Sequence, residues 1–188
     1  MNPGGQSLHV SAFGQSDIGL VRKNNEDSFL IADLADGVER IGSAAEHFAV
    51  SEKGGLFMVA DGMGGAEAGE VASQMAVESV CRYLRTQRFD TRQTFVKSLK
   101  KAVESANRTI HQEGKKNPER SGMGTTLTAA AVFAEELFFA QVGDSRGYLI
   151  RNDSIVQMTH DQSLVAQLVA SGALSPAKAK VDPRRNVI

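Results

Sequence analysis

The sequence predicts a mixed fold of strands and helices, of the α/β or α+β class. Three observations predict it. A short apolar run, Leu56 to Ala60, reads as a buried strand. Two stretches with helical spacing follow it in succession, Glu67 to Leu84 and Phe95 to Ile110. From Gly124 onward the period changes to short strand-like runs separated by turn residues.

In chain order, residues 1–6 read as a flexible tail and Leu8 to Gln15 as a first strand. Ser16-Asp17-Ile18-Gly19 is a turn. The polar run Arg22 to Asp27 leads directly into a second strand, Ser28 to Ala32. Asp36-Gly37 and Gly54-Gly55 are turn signals, and His47 between them reads as a surface histidine. The first helix carries Ala68, Val71, Ala72, Met75, Ala76, Val80 and Leu84, an apolar stripe for a core. The second carries Phe95, Leu99, Ala102, Ala106 and Ile110, with an end expected at His111 to Gly114. Strands are expected at Thr125 to Phe133 and Leu137 to Val142, and a hairpin at Tyr148 to Arg151 and Ser154 to Met158. Asp161 is a candidate cap for a helix stopped by Gly172, and Ser175-Pro176 starts another.

Bulk properties exclude several function classes. The 188 residues fit one domain with a real core, and 41% hydrophobic with 23% charged content is ordinary for a globular protein. The formal net charge of −1, with no basic block, gives no nucleic-acid footprint. No apolar run approaches the length of a bilayer span. The single cysteine, Cys81, excludes an internal disulfide and suits a reducing compartment, and no signal-peptide pattern opens the chain; a cytoplasmic location is expected.

The stretch most charged with chemistry is Val59-Ala60-Asp61-Gly62-Met63-Gly64-Gly65. A carboxylate ending a buried strand is costly unless a cation sits against it. Glycines beside it let backbone approach a ligand closely. Acidic residues recur at strand borders in Glu26-Asp27, Asp61 and Asp144. Hard divalent cations take oxygen ligands of this kind, and two ions about 3.5–4 Å apart acidify a water that can attack phosphorus. Arg22 supplies a planar cation for a phosphate dianion. Any one of these acids alone is more simply a turn or cap residue; the set together is not.

These segments give the sequence a resemblance. Gly19-Leu20-Val21-Arg22-Lys23-Asn24-Asn25-Glu26-Asp27, the Asp61 segment, Gly122-Met123-Gly124-Thr125-Thr126, Val142-Gly143-Asp144-Ser145-Arg146, Thr159-His160-Asp161-Gln162-Ser163 and Pro183-Arg184-Arg185-Asn186-Val187-Ile188 occur in the order seen in the metal-dependent protein phosphatases. The chain resembles this PPM, or type 2C, family and is most similar to its compact bacterial members. The resemblance implies an α+β fold, a four-layer α-β-β-α sandwich of two antiparallel sheets flanked by helices. It implies hydrolysis of phosphoserine and phosphothreonine with two Mn2+ or Mg2+ ions, and a third, weaker ion near Asp144. Asp61 would bridge the ions, the Gly62 carbonyl would bind one of them, Glu26 would face the second, Asp27 would hold coordinated water, and Arg22 would hold the substrate phosphate. Asp27, Asp61 and Asp144 are the catalytic candidates; His160 and Asp161 are expected to be structural. Met63 stands where some relatives carry a proton-donating His.

The partners implied are phosphorylated proteins, including a serine/threonine kinase and its targets, with the protein itself a monomer. The family carries two further metal-binding aspartates beyond the point where this sequence stops. Residues 7–188 are therefore expected to form an incomplete domain, missing its C-terminal strands, with a sheet edge or apolar face uncovered and impaired activity. The alternative is a non-catalytic, phosphatase-like binding or regulatory domain. Two other readings are weaker. Gly143-Asp144-Ser145-Arg146-Gly147 satisfies G-x-S-x-G, but a strand pattern rather than a helix follows it. The Gly62 run does not complete a dinucleotide or P-loop motif.

Overall fold

The computed structural model describes residues 8–35, 39–40, 44–65 and 67–188. The expected 1–6 tail and Asp36-Gly37 turn lie outside the described residues. The elements run β1 (His9–Gly14), β2 (Asp27–Asp33), β3 (Glu39–Arg40), β4 (Ala44–Ala49), β5 (Gly55–Met63), α1 (Ala68–Thr86) and α2 (Arg92–Lys116), then β6 (Gly124–Thr125), β7 (Leu127–Phe133), β8 (Glu136–Val142), β9 (Tyr148–Arg151), β10 (Ser154–Gln157), α3 (Leu164–Ala170) and α4 (Pro176–Ala179).

A six-stranded antiparallel sheet forms the middle, in the order β3-β2-β5-β7-β8, with β6 also paired to β5. The register aligns Leu30, Met58, Ala129 and Ala140 in one row and Ala32, Leu56, Ala131 and Phe138 in the next. Side chains alternate along a strand, so these rows share a face. That face is buried under α1 and α2, whose stripes through Ala72, Ala76, Val80, Leu84, Leu99, Ala102 and Ala106 complete one core. Small residues there let the helices sit close to the sheet. Phe95 of α2 stacks on Phe133 at 4.7 Å between ring centroids, and Phe89 meets both rings edge-on.

The opposite face carries Phe29 beside Val59 and Ile31 beside Phe57. Two separate antiparallel ribbons, β1–β4 and β9–β10, lie on this side. Phe48 of β4 stacks on Phe57, and Gly147, at the entrance to β9, lies against Phe139. Between them a cavity of about 470 Å³ stays open, lined by Phe13, Phe29, Phe57 and Phe139 among others. Val59 and Leu137 of the sheet, and Ile150 and Ile155 of the β9–β10 ribbon, are exposed.

Several boundaries differ from expectation. The central strand does not stop before Asp61; it runs on to Met63, because Gly62 and Met63 pair with Thr125 and Gly124. For the same reason the single strand expected from Thr125 is two, broken at Thr126. Helix α2 passes through Gly114 and ends at Lys116, capped by Asn117 before Pro118. The cap of α3 is Ser163, whose hydroxyl accepts from the Ala166 N–H; Asp161 does not cap it. Asp161 instead takes a two-pronged hydrogen bond from Arg146, which ties the β8–β9 turn to the 159–163 segment. No helix of the described residues is long and apolar enough to cross a membrane.

Candidate metal and phosphate site

The strand order places the two central acids together. Asp27 opens β2 and Asp61 lies near the end of β5, and the two are direct partners in the ladder. They sit on the face away from the helices, continuing the row of Phe29 and Val59. Each is fixed by its own backbone. The Asp61 N–H donates to Thr126 Oγ1 at 3.0 Å, and the Asp61 carbonyl accepts from the Thr126 N–H at 2.9 Å. The Asp27 N–H donates to Asn25 Oδ1 at 3.0 Å, and Asn25 in turn donates to Ser16 Oγ at 2.7 Å.

Glu26 precedes β2 and its carboxylate lies on the other side of the chain, against the backbone of Gly69 in the first turn of α1. Its backbone carbonyl accepts from the Gly62 N–H at 3.1 Å. A Cβ on Gly62 would overlap the Gly69 carbonyl, so only glycine lets β5, α1 and the 22–27 segment approach this closely. Gly64 and Gly65, with φ of 135° and 88°, turn the chain from β5 toward α1.

Arg22, Glu26, Asp27, Asp61 and Gly62 line one cleft of about 230 Å³, and Asp27 and Asp61 also line an adjoining one with Ser145. Asp144 lines a third cleft, toward α3 and α4, yet its charge is felt at Asp61. Burial first, then the charges of Asp27 and Asp144, push the Asp61 carboxyl above its ordinary range; Arg22 opposes them. Negative charge therefore outweighs the one nearby cation known to offset it, a setting that favours a bound cation. The donors are carboxylate and peptide oxygens, the set that hard divalent ions prefer. Among the described residues, no group of three or more His, Cys, Asp or Glu is gathered to hold an ion.

All the residues singled out from the sequence thus border one end of the sheet, with Asp144 displaced to the neighbouring cleft. Thr126, Asn25 and Ser73 were not singled out individually. Ser73 had a signal, a hydroxyl on the apolar stripe of α1; it is fully buried. Ser145 is no nucleophile elbow: its hydroxyl is 2.6 Å from Thr126 Oγ1, and strand β9 follows.

A family model described as Protein phosphatase 2C matches residues 44–173. The serine/threonine phosphatase stp of Listeria innocua is 36% identical over 175 residues, covering 93% of this chain and 63% of that protein. The chain thus spans less than two thirds of the length of this relative. The solved serine/threonine phosphatase of S. agalactiae superposes with a TM-score of 0.78 at 30% identity, over 96% of this chain and 67% of that one. The catalytic domain of the serine/threonine protein phosphatase PstP, solved in complex with two manganese ions, superposes with a TM-score of 0.65 at 32% identity, over 92% of this chain and 63% of that one.

Proposed function

Because the chain belongs to the protein phosphatase 2C family, we propose that it hydrolyses phosphoserine and phosphothreonine in other proteins, using divalent metal ions at the Asp61 cleft. The observation that carries this reading is the pairing of Asp27 with Asp61 across β2 and β5, in the same cleft as Arg22. Residues 7–188 belong to one phosphatase-type domain. Glu26, Asp27, Asp61 and the Gly62 carbonyl would hold two Mn2+ or Mg2+ ions, and Asp144 would favour a third. When bound, such ions acidify water for attack on phosphorus.

The remaining work falls to the chain's own side chains. Arg22 binds the phosphate dianion through its planar fork and sets its orientation. Asp27 accepts a hydrogen bond from the attacking water. Met63 cannot donate a proton to the departing alkoxide, so that proton comes from a water or another group. Phosphorylated proteins are the substrates, among them a serine/threonine kinase and its targets. Cys81, buried and the chain's single cysteine, suits a reducing cytoplasm.

A second reading is a phosphatase-like domain that binds phosphoproteins without turnover. One experiment separates the two. A phosphothreonine peptide is incubated with the protein and Mn2+, and both phosphate release and peptide binding are measured. Release that chelation by EDTA stops supports the enzyme. Binding with no release, in the presence of Mn2+, supports the second reading.

A further inference from the structure

Ser73 lies on α1, fully buried, one helical turn beyond Gly69. Its hydroxyl donates to the Glu26 carbonyl at 2.6 Å. It also stands 3.0 Å from the Ser28 hydroxyl and from the Glu70 carbonyl. A serine has one proton to give, and the Glu26 carbonyl is the nearest acceptor. That carbonyl also accepts from the Gly62 N–H. Three parts of the chain therefore converge on one oxygen: the 22–27 segment, β5 at Gly62, and α1 through Ser73. One turn earlier, Gly69 has no side chain, and the Glu26 carboxylate rests where its Cβ would be.

We propose that Ser73 and Gly69 form a positioning seat on α1 that sets where the Glu26 carboxylate and the Gly62 peptide stand, and so sets the affinity of the site for a divalent ion. The inference rests on the metal reading above. Ser73 itself has no place among the ligands. It acts by holding the main chain of Glu26 against α1, and Gly69 acts by leaving room for the carboxylate. The Ser28 hydroxyl, the other one in the cluster, stands 3.0 Å from that of Ser73, so it provides an internal comparison.

The test is a Mn2+ titration of the protein followed by electron paramagnetic resonance of the free ion, beside thermal unfolding of the same samples. Ser73→Ala is expected to bind Mn2+ about tenfold more weakly, the scale of losing a group that orients a ligand. Ser28→Ala, which removes a hydroxyl from the same cluster, is expected to stay within about twofold of the parent. Gly69→Ala is the second variant: its methyl would displace the Glu26 carboxylate, and about tenfold weaker binding is expected although alanine favours a helix. Binding at the parent level in both Ser73→Ala and Gly69→Ala, with binding lost in Asp61→Asn, overturns this inference alone. Equal losses in Ser73→Ala and Ser28→Ala overturn it too, since they would report packing. A parent protein that binds no Mn2+ overturns the metal reading and this inference together.

Discussion

Asp27 and Asp61 stand directly opposite each other in the antiparallel ladder of β2 and β5. Like charges directly across a ladder destabilise it. The pair ends the ladder, and the apolar rows on its inner side, from Phe29–Val59 to Ala32–Leu56, hold the strands in register against that cost. A local conflict sustained by a consistent surrounding is the pattern expected of a working site.

The conflict has a pH signature in protein freed of metal. Burial, then Asp27 and Asp144, hold Asp61 above its ordinary value of 3.8. The folded chain binds this proton more tightly than the unfolded one. The resulting stability is full below 3.8 and is lost as pH rises through the folded value. Asp61→Asn removes the dependence. Its urea midpoint, relative to the parent, is expected to increase from acid toward neutral pH. A difference that stays constant over that range contradicts the assignment.

Asp161 has the opposite sign. The Arg146 guanidinium, bonded through both Nε and Nη2, holds its carboxyl below the ordinary range. Its contribution is therefore present above 3.8 and lost as pH falls through the folded value. The pair is partly exposed, so Asp161→Asn is expected to cost about 1 kcal/mol at neutral pH, read from denaturant midpoints, and to cost nothing at pH low enough to protonate the parent. Arg146→Lys is expected to lose the two-pronged geometry and most of the same stability.

Much of this was legible in the sequence, and the failures have identifiable causes. The α1 and α2 stripes were readable because helical periodicity is local. The grouping of Arg22, Glu26, Asp27 and Asp61 is suggested by acids recurring at strand borders and by the resemblance, but nothing local reveals that Asp27 faces Asp61; that is a property of register between distant strands. The end of β5 was misplaced because Gly62 and Met63 look like a loop until β6 is there to pair with them. Gly114 reads as a helix stop in the sequence, but its missing Cβ serves a close approach to the Arg120 carbonyl, 3.2 Å from where that atom would sit. Asp161 was a plausible cap by type, and Arg146, brought to it by the fold, claimed it instead.

The seam between β5 and α1 should tolerate no side chain. Gly62→Ala would drive its methyl into the Gly69 carbonyl and to 2.6 Å from the Glu26 carbonyl. A loss of about 1–3 kcal/mol is expected, together with weaker Mn2+ binding. A stable variant with unchanged metal affinity would contradict the packing described.

Arg22 is exposed at the rim of the Asp61 cleft, so its removal should leave the fold intact. Arg22→Ala is expected to raise KM for a phosphopeptide roughly tenfold or more, the worth of a charge-assisted pair, with the melting temperature unchanged. An unaltered KM would remove Arg22 from phosphate recognition.

The central claim is most directly tested by growing crystals with Mn2+ and recording anomalous scattering at the manganese edge. The account predicts a peak in the cleft bounded by Glu26, Asp61 and the Gly62 carbonyl, and none there in Asp61→Asn crystals. A cleft without manganese in the parent protein, under conditions where it hydrolyses phosphopeptides, would contradict it.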